Sequence, residues 1–386
     1  MLSSAEAARR LGIKVATLYV YVSRGMIESH RDPSGRGSLF ELSDVEHLAT
    51  RSRGGRQTES RLATVTTGVT QLRLDEGPLY RGRAATSLAG EMPFEAVAEL
   101  LWGADPDGEW SAPALGECPL TDNLDRIRWT LVMCGATDPL RSDLRPGAVR
   151  RSARRIAAAV VDVIGPAPVG ETATTPISTR LAHRLGGSAP VLSAAAVDAA
   201  LVLMADHELA TSTLAVRIAA SVRADLYDAL LAGTATLAGP LHGGASQQAH
   251  ELLAVAERDG ASRALNDTLR DHRLLPGFGH AVYKNGDPRF AALLSLAEPL
   301  LSDARRDIVR EVVELAADHD IPPANCDLAL AALSWGTGMP SDTGRTIFAV
   351  ARIAGWTAHY LEELTEHPLR FRARAVYSLE NGSSSR

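Results

Sequence analysis

SAAAVDAALVLMADHELATSTLAVRIAASV, residues 193–222, places apolar side chains at three- and four-residue spacing along most of its length. That is the period of an α-helix with one face in a core, and the abundant alanines permit helices to approach closely. Read as one element, the stretch predicts a long apolar helix with Asp206-His207-Glu208 in its middle. The same period recurs in RRIAAAVVDVI (154–164), LYDALLAGTATLAG (226–239), RDIVREVVELAADHD (306–320) and RTIFAVARIAGWTAHYLEEL (345–364). No strand alternates with these helices, and neither a GxGxxG turn nor a Walker loop occurs. Only TVTTGVTQLRL (64–74) reads as strand, a small ribbon. The expected class is mainly α.

The chain of 386 residues is long enough for two or three domains with a large core. Its net charge of −6 excludes a polyanion-binding arm or a membrane-surface module for the protein as a whole. Cys118, Cys134 and Cys326 are scattered without a CxxC pair, which argues against a disulfide framework or a thiolate metal site and suits a reducing cytoplasm. The N-terminus carries charges where a signal peptide needs an apolar core, and no run of about 18 apolar residues suggests a membrane span. The expectation is a cytoplasmic protein with no membrane partner and no metal.

Residues 1–56 differ from the rest, with nine Lys/Arg against six Asp/Glu. Ser3 and Glu6 have the spacing of a capping box; Ala7, Ala8 and Leu11 give a short apolar face, Gly12 a turn, and Leu18 and Val22 the inner face of a second helix ended by Gly25. A Gly/Ser tip, DPSGRGS (32–38), and a further helix in LSDVEHLATR (42–51) follow. This is helix-turn-helix patterning with a small wing, and EAARRLGIKVATLYVYVSRGMI (6–27) resembles the DNA-binding head of the MerR and excisionase-like families. If duplex DNA is the partner, Lys14, Thr17, Tyr21, Arg24 and Arg36 are the residues expected at phosphates, although a charge of +3 is modest for that task. RSRGGRQTES (51–60) reads as a linker.

Three further segments are chemically odd. GPLHGGASQQAHELL (239–253) embeds His242 among glycines just before a helix; LPGFGHAVYKNGDPRF (275–290) does the same with His280, followed by Lys284 and Arg289; NCDLALAALSWGTGMP (325–340) puts Asp327 in the first turn of an apolar helix. Turn-making explains each glycine cluster. A ligand lying against bare backbone explains it equally. Two histidines in glycine loops plus a lone carboxylate on an apolar helix are harder to attribute to packing.

GPLHGGA, GFGHAVYKNGDPR, NCD and FAVARIAGWTAHYLEE, in that order, resemble the signature segments of the citrate synthase family, and the resemblance runs from about residue 68 to RFRARAVY (370–377). It implies large and small helical domains behind the helix-turn-helix: 1–56, then 57–241 and 333–386 as the large domain and 242–332 as the small one. It implies condensation of acetyl-CoA with oxaloacetate to citrate and CoA, with Asp327 as base, His242 stabilising the enol oxygen and His280 protonating the oxaloacetate carbonyl. His207, Arg289, Arg352 and Arg372 would hold oxaloacetate, Arg372 reaching across from the neighbouring subunit of a homodimer or higher oligomer. Pro276, Gly277, Phe278, Gly279, Lys284 and Asn325 would meet CoA. Acetyl-CoA enters as substrate and no cofactor is implied.

The chain departs from the family pattern at Ala281, where many bacterial members have arginine, and at Ala329, Leu330 and Ala331, expected to make the wall beside Asp327 more apolar. It departs also at Ser246, where asparagine is common, and at Arg372-Ala373, which leaves Arg370 and Arg374 as rivals for the crossing arginine. Such changes would tune the enzyme towards propionyl-CoA or a bulkier 2-oxo acid. An esterase reading fails because no GxSxG elbow occurs. A DNA-binding regulator with a synthase-like sensor body is the remaining rival, and an intact His242, His280 and Asp327 set argues for catalysis.

Overall fold

The computed structural model describes residues 2–11, 13–23, 27, 29–31, 38–41 and 45, and then 65–371 apart from 106–107, 173, 240–241 and 273. The chain divides into two compact units, one N-terminal and reaching Val65, the other spanning Thr66–Arg372.

In the first unit, α1 (Ser4–Leu11) and α2 (Val15–Ser23) lie beside a small antiparallel sheet in which β3 (Ser38–Phe40) pairs with both β1 (Leu2–Ser3) and β2 (His30–Arg31). The capping box forms. The Ser3 N–H donates to Glu6 Oε2 at 3.0 Å and the Glu6 N–H returns to Ser3 Oγ at 3.4 Å. Ala7, Ala8, Leu18, Ile27, Phe40 and Val45 make a miniature core, with Tyr21 and Val22 packed against it. Lys14 is exposed and Thr17 half-buried. Arg24, Arg36, the linker at 51–60 and most of the expected helix at 42–51 lie outside the described residues.

The second unit opens with the ribbon β4 (Thr70–Arg73), β5 (Gly77–Tyr80) and β6 (Arg83–Ala84), so TVTTGVTQLRL supplies only a four-residue strand. Helices follow: α3 (Ala85–Leu88), α4 (Phe94–Trp102), α5 (Asn123–Thr137), α6 (Pro146–Ile164), α7 (Ile177–Leu185), α8 (Pro190–Met204), α9 (Thr211–Ser221), α10 (Leu226–Leu237), α11 (Ala245–Asp259), α12 (Ala261–His272), α13 (Pro288–Ala297), α14 (Asp303–Asp318), α15 (Cys326–Thr337) and α16 (Thr343–Leu364). Helix α15 is buried from end to end except at Asp327, as expected of a helix that is apolar all round. Helix α16 packs against α4, α5, α6, α8, α9, α10, α11 and α15. None of the helices among the described residues is long and apolar enough to cross a membrane.

One expectation is overturned. Residues 193–222 are not a single helix, because α8 stops at Met204, α9 starts at Thr211, and 205–210 cross between them with Glu208 at φ 53°. The alanine-rich period continues on either side, so the break is invisible to it. Its cause is tertiary: the loop lies directly on α16, where the Gly355 N–H donates to Ala205 O at 3.0 Å. A Cβ at residue 355 would sit 2.2 Å from Asp206 Oδ1 and 2.5 Å from Ala205 O.

Gly355→Ala is therefore expected to cost ~1–3 kcal/mol of stability through overpacking, read as a lowered midpoint in thermal or urea unfolding. A variant as stable as the parent would show that the loop yields freely.

Candidate active site

His242 follows α10 in a tight turn, its N–H donating to Gly239 O at 2.9 Å. The glycine after it is required by packing, since a Cβ on Gly243 would meet Leu237 O at 2.6 Å. The His242 ring is held by Ser212 Oγ, 2.9 Å from Nε2, and by the Phe348 ring edge-on at 5.9 Å. Burial, with the Arg352 charge beside it, holds this imidazole below its ordinary pKa.

His280 sits in the loop ahead of α13. Its Nδ1 accepts from the Val282 N–H (3.0 Å) and the Tyr283 N–H (3.3 Å), so the neutral ring carries its proton on Nε2. Burial and then Arg289 lower its pKa. The Nε2 faces Arg289 Nη2 at 3.5 Å. Both groups donate, so they converge on space suited to an acceptor.

Asp327 occupies the first turn of α15. Its N–H is capped by Asn325 Oδ1 at 2.9 Å, and burial pushes its carboxyl up to about 6. Asn325 also ties this turn to the His280 loop, because its Nδ2 donates to Gly279 O (2.7 Å) and its N–H to Gly277 O (2.9 Å). Asp327 and His280 are thus positioned through one side chain.

Two buried guanidinium groups complete the set. Arg289 lies in a two-point pair with Asp287 (3.0 and 2.8 Å), and Asp287 also accepts the Cys326 N–H at 3.2 Å. Arg352 donates from Nε to Met204 O at 2.8 Å and stacks on Phe348 at 4.5 Å. Its Nη1 is buried with no hydrogen-bond partner among the described residues. An unpaired buried donor of this kind calls for an anion. His207 faces Tyr283 Oη across 3.2 Å, and burial and then Arg289 hold its pKa well below the ordinary value.

The cleft these groups line has a volume of about 780 Å³. It brings together His207, His242, His280, Arg289, Asn325, Asp327, Arg352 and Gly279. A second cavity of about 570 Å³, lined by Phe278, Gly279, Lys284, Asp320 and apolar neighbours, meets it along Gly279, His280 and Ala281. Pro276 and Gly277 line neither cavity. Arg372 and Arg374 lie outside the described residues, and Arg370 is paired with Glu363 at 2.6 Å.

The expected apolar wall is a correction. Ala329, Leu330 and Ala331 are fully buried in α15 and do not line the cleft, and Ser246 packs beneath it against Gly344. Of the departures among the described residues, Ala281 alone lines the cleft. Sequence reasoning missed Ser212, Tyr283, Phe348 and Asp287. Asp287 is the one with a signal, in the Asp-Pro-Arg that places it two residues from Arg289.

The family profile described as "Citrate synthase, C-terminal domain" matches residues 122–374. The chain belongs to the citrate synthase family. Among curated relatives, a protein named citrate synthase 2 from Bacillus subtilis is 30% identical over 266 residues, 65% of this chain and 71% of the relative. A 2-methylcitrate synthase from Mycobacterium tuberculosis is 28% identical over 324 residues, 75% of this chain and 82% of the relative. The fold is shared with the Thermoplasma acidophilum citrate synthase solved as a ternary complex with carboxymethyl coenzyme A and oxaloacetate, at TM-score 0.69 and 23% identity, covering 85% of this chain and 96% of that one. Family members thus bear two names that differ in product, and the protein is an enzyme of this family.

The pH dependence follows from Asp327. With Asp327 read as the base, which must be ionised to act, turnover is expected to rise with pH through about 6; burial lowers the pKa of all three histidines. Asp327→Asn should cut kcat by ~10²–10⁴-fold. The native state holds this proton more tightly than the unfolded chain, so ionisation costs stability. The Asn variant should therefore unfold at a higher temperature than the parent above pH 6, with the gain shrinking as pH falls below that value.

Proposed function

We propose that the cleft condenses acetyl-CoA with oxaloacetate, giving citrate and CoA. The Asp327 carboxylate removes a methyl proton from the thioester, and neutral His242, held by Ser212, stabilises the enol oxygen. The enol carbon attacks the 2-oxo carbon while His280 donates its Nε2 proton to the oxo oxygen. Water then cleaves the thioester, releasing CoA. Arg289, Arg352 and His207 hold the oxaloacetate carboxylates, and the second cavity takes CoA with Lys284 at a phosphate. The observation that carries this reading is the convergence in one cleft of a carboxyl raised to about 6, two histidines lowered by burial and a guanidinium nitrogen with no partner among the described residues.

Propionyl-CoA is the second reading, supported by small side chains at Ala210, Ala245 and Ala281 around the cleft. Purified protein is expected to release thiol from acetyl-CoA or propionyl-CoA only when oxaloacetate is present, and the ratio of kcat/KM chooses between them. No release with either would overturn the assignment.

We read the N-terminal unit as a helix-turn-helix module and 242–332 as the small domain that closes over oxaloacetate. Helix α2 contains no lysine or arginine, and Val15, Tyr19 and Val20 are exposed on it, which favours a protein contact over a phosphate backbone. A labelled duplex should show no salt-sensitive binding; a shift lost on replacing Lys14 would reverse this. Exposed Val132, Ile218 and Val222 on and beside α5 and α9 support a two-fold homodimer, with the mass in analytical ultracentrifugation as its check.

A further inference from the structure

One face of α16 grips three consecutive residues, the last of α8 and the first two of the loop between α8 and α9. Arg352 Nε donates to Met204 O at 2.8 Å, the Gly355 N–H to Ala205 O at 3.0 Å, and His359 Nε2 meets Asp206 Oδ2 at 3.2 Å. Residues 352, 355 and 359 follow helical spacing, so the grips lie in a row. The next residue of the loop is His207.

The direction of the third grip is determined. Arg217 Nη1 lies 2.9 Å from His359 Nδ1, and a guanidinium only donates. Nδ1 is thus the acceptor, Nε2 carries the proton, and it donates to Asp206. Arg217 is fixed in turn by Glu363 (2.9 Å) and Glu362 (2.6 Å). The same Asp206 oxygen accepts the Glu208 N–H at 3.1 Å, clamping the loop on the far side of His207. Arg217, His359, Asp206 and Glu363 are fully buried, and none lines the cleft.

We propose that His359 is a positioning residue for oxoacid binding: its Nε2–H, aimed by Arg217, fixes Asp206 and thereby sets His207 beside Arg352. The inference rests on the reading of the cleft as an oxaloacetate site. A buried polar chain of this kind defines a unique geometry only while every link is made.

Two substitutions separate the links. H359N keeps an acceptor at the Nδ1 position for Arg217 and loses the donor to Asp206. H359Q keeps a donor at the Nε2 position and loses the acceptor. Both should lower the unfolding temperature. H359N is expected to weaken oxaloacetate binding, followed by intrinsic fluorescence, at least tenfold while changing the acyl-CoA KM less than twofold. H359Q should stay within threefold of the parent for oxaloacetate. Equal losses in the two variants, or parent-like affinity in folded H359N, would overturn the proposal.

A crystal structure of H359N needs no ligand. Displacement of residues 205–210 is expected, and an unmoved loop overturns the inference even if the parent binds no oxaloacetate, a result that would by itself sink only the functional reading. Should H359N fail to fold, the parent labelled with 15N-histidine decides. The protonated nitrogen of His359 should be Nε2 and its resonance should move on adding oxaloacetate; an Nδ1–H tautomer or an unmoved signal rejects the role.

Discussion

A guanidinium withdrawn from water must find its hydrogen-bond partners inside the protein or in a ligand, and the cleft is organised around two that are 2% exposed. Arg289 has its carboxylate partner in Asp287, which remains ionised because Arg289 and surrounding N–H groups outweigh the effect of burial. Arg352 has only a carbonyl and an aromatic face, with one nitrogen unanswered. A buried donor left unpaired costs ~1–3 kcal/mol, so Arg352 favours a ligand that brings an acceptor to Nη1. Burial first, and then the same positive field, hold the three nearby imidazoles below their ordinary pKa.

The fold makes this arrangement stiff. Arg352 rises from a 22-residue helix, α16, packed on eight others among the described residues, and Asp327 from the first turn of α15, which has almost no exposed surface. His280 and His207 come from loops, yet neither loop is free: Asn325 holds one and α16 holds the other. Sites borne on loops gain precision when a buried polar shell fixes them. Here that shell is backbone carbonyls and N–H groups as much as side chains.

Much of this was legible in the chain. The apolar period located α6, α10, α14 and α16, and the helical residues of α8 and α9 without the break between them; the odd segments supplied α15 and His242, His280, Arg289 and Asp327 of the cleft, because a glycine beside a histidine or a carboxylate in an apolar run stands out against packing. What stayed hidden depends on partners distant in sequence. Asp206 and His359 are 153 residues apart, and the break at Met204 is imposed by a glycine on another helix. Ser212 and Tyr283 look ordinary within their segments and gain meaning only from the imidazoles they meet. Ala329 to Ala331 follow Asp327 closely in sequence, but the helical turn carries them into the core.

The two cavities share one strip of backbone, Gly279 to Ala281, and Asn325 couples that strip to the turn bearing Asp327. A wall common to two chambers cannot be shifted for one occupant alone. Any displacement of the strip by a molecule in one chamber is also a change in the other, and thermodynamic linkage makes the effect reciprocal: the factor by which the first ligand alters the affinity for the second equals the factor in reverse. On the proposed reading, the strip is the one wall through which a ligand in one chamber would act on a ligand in the other.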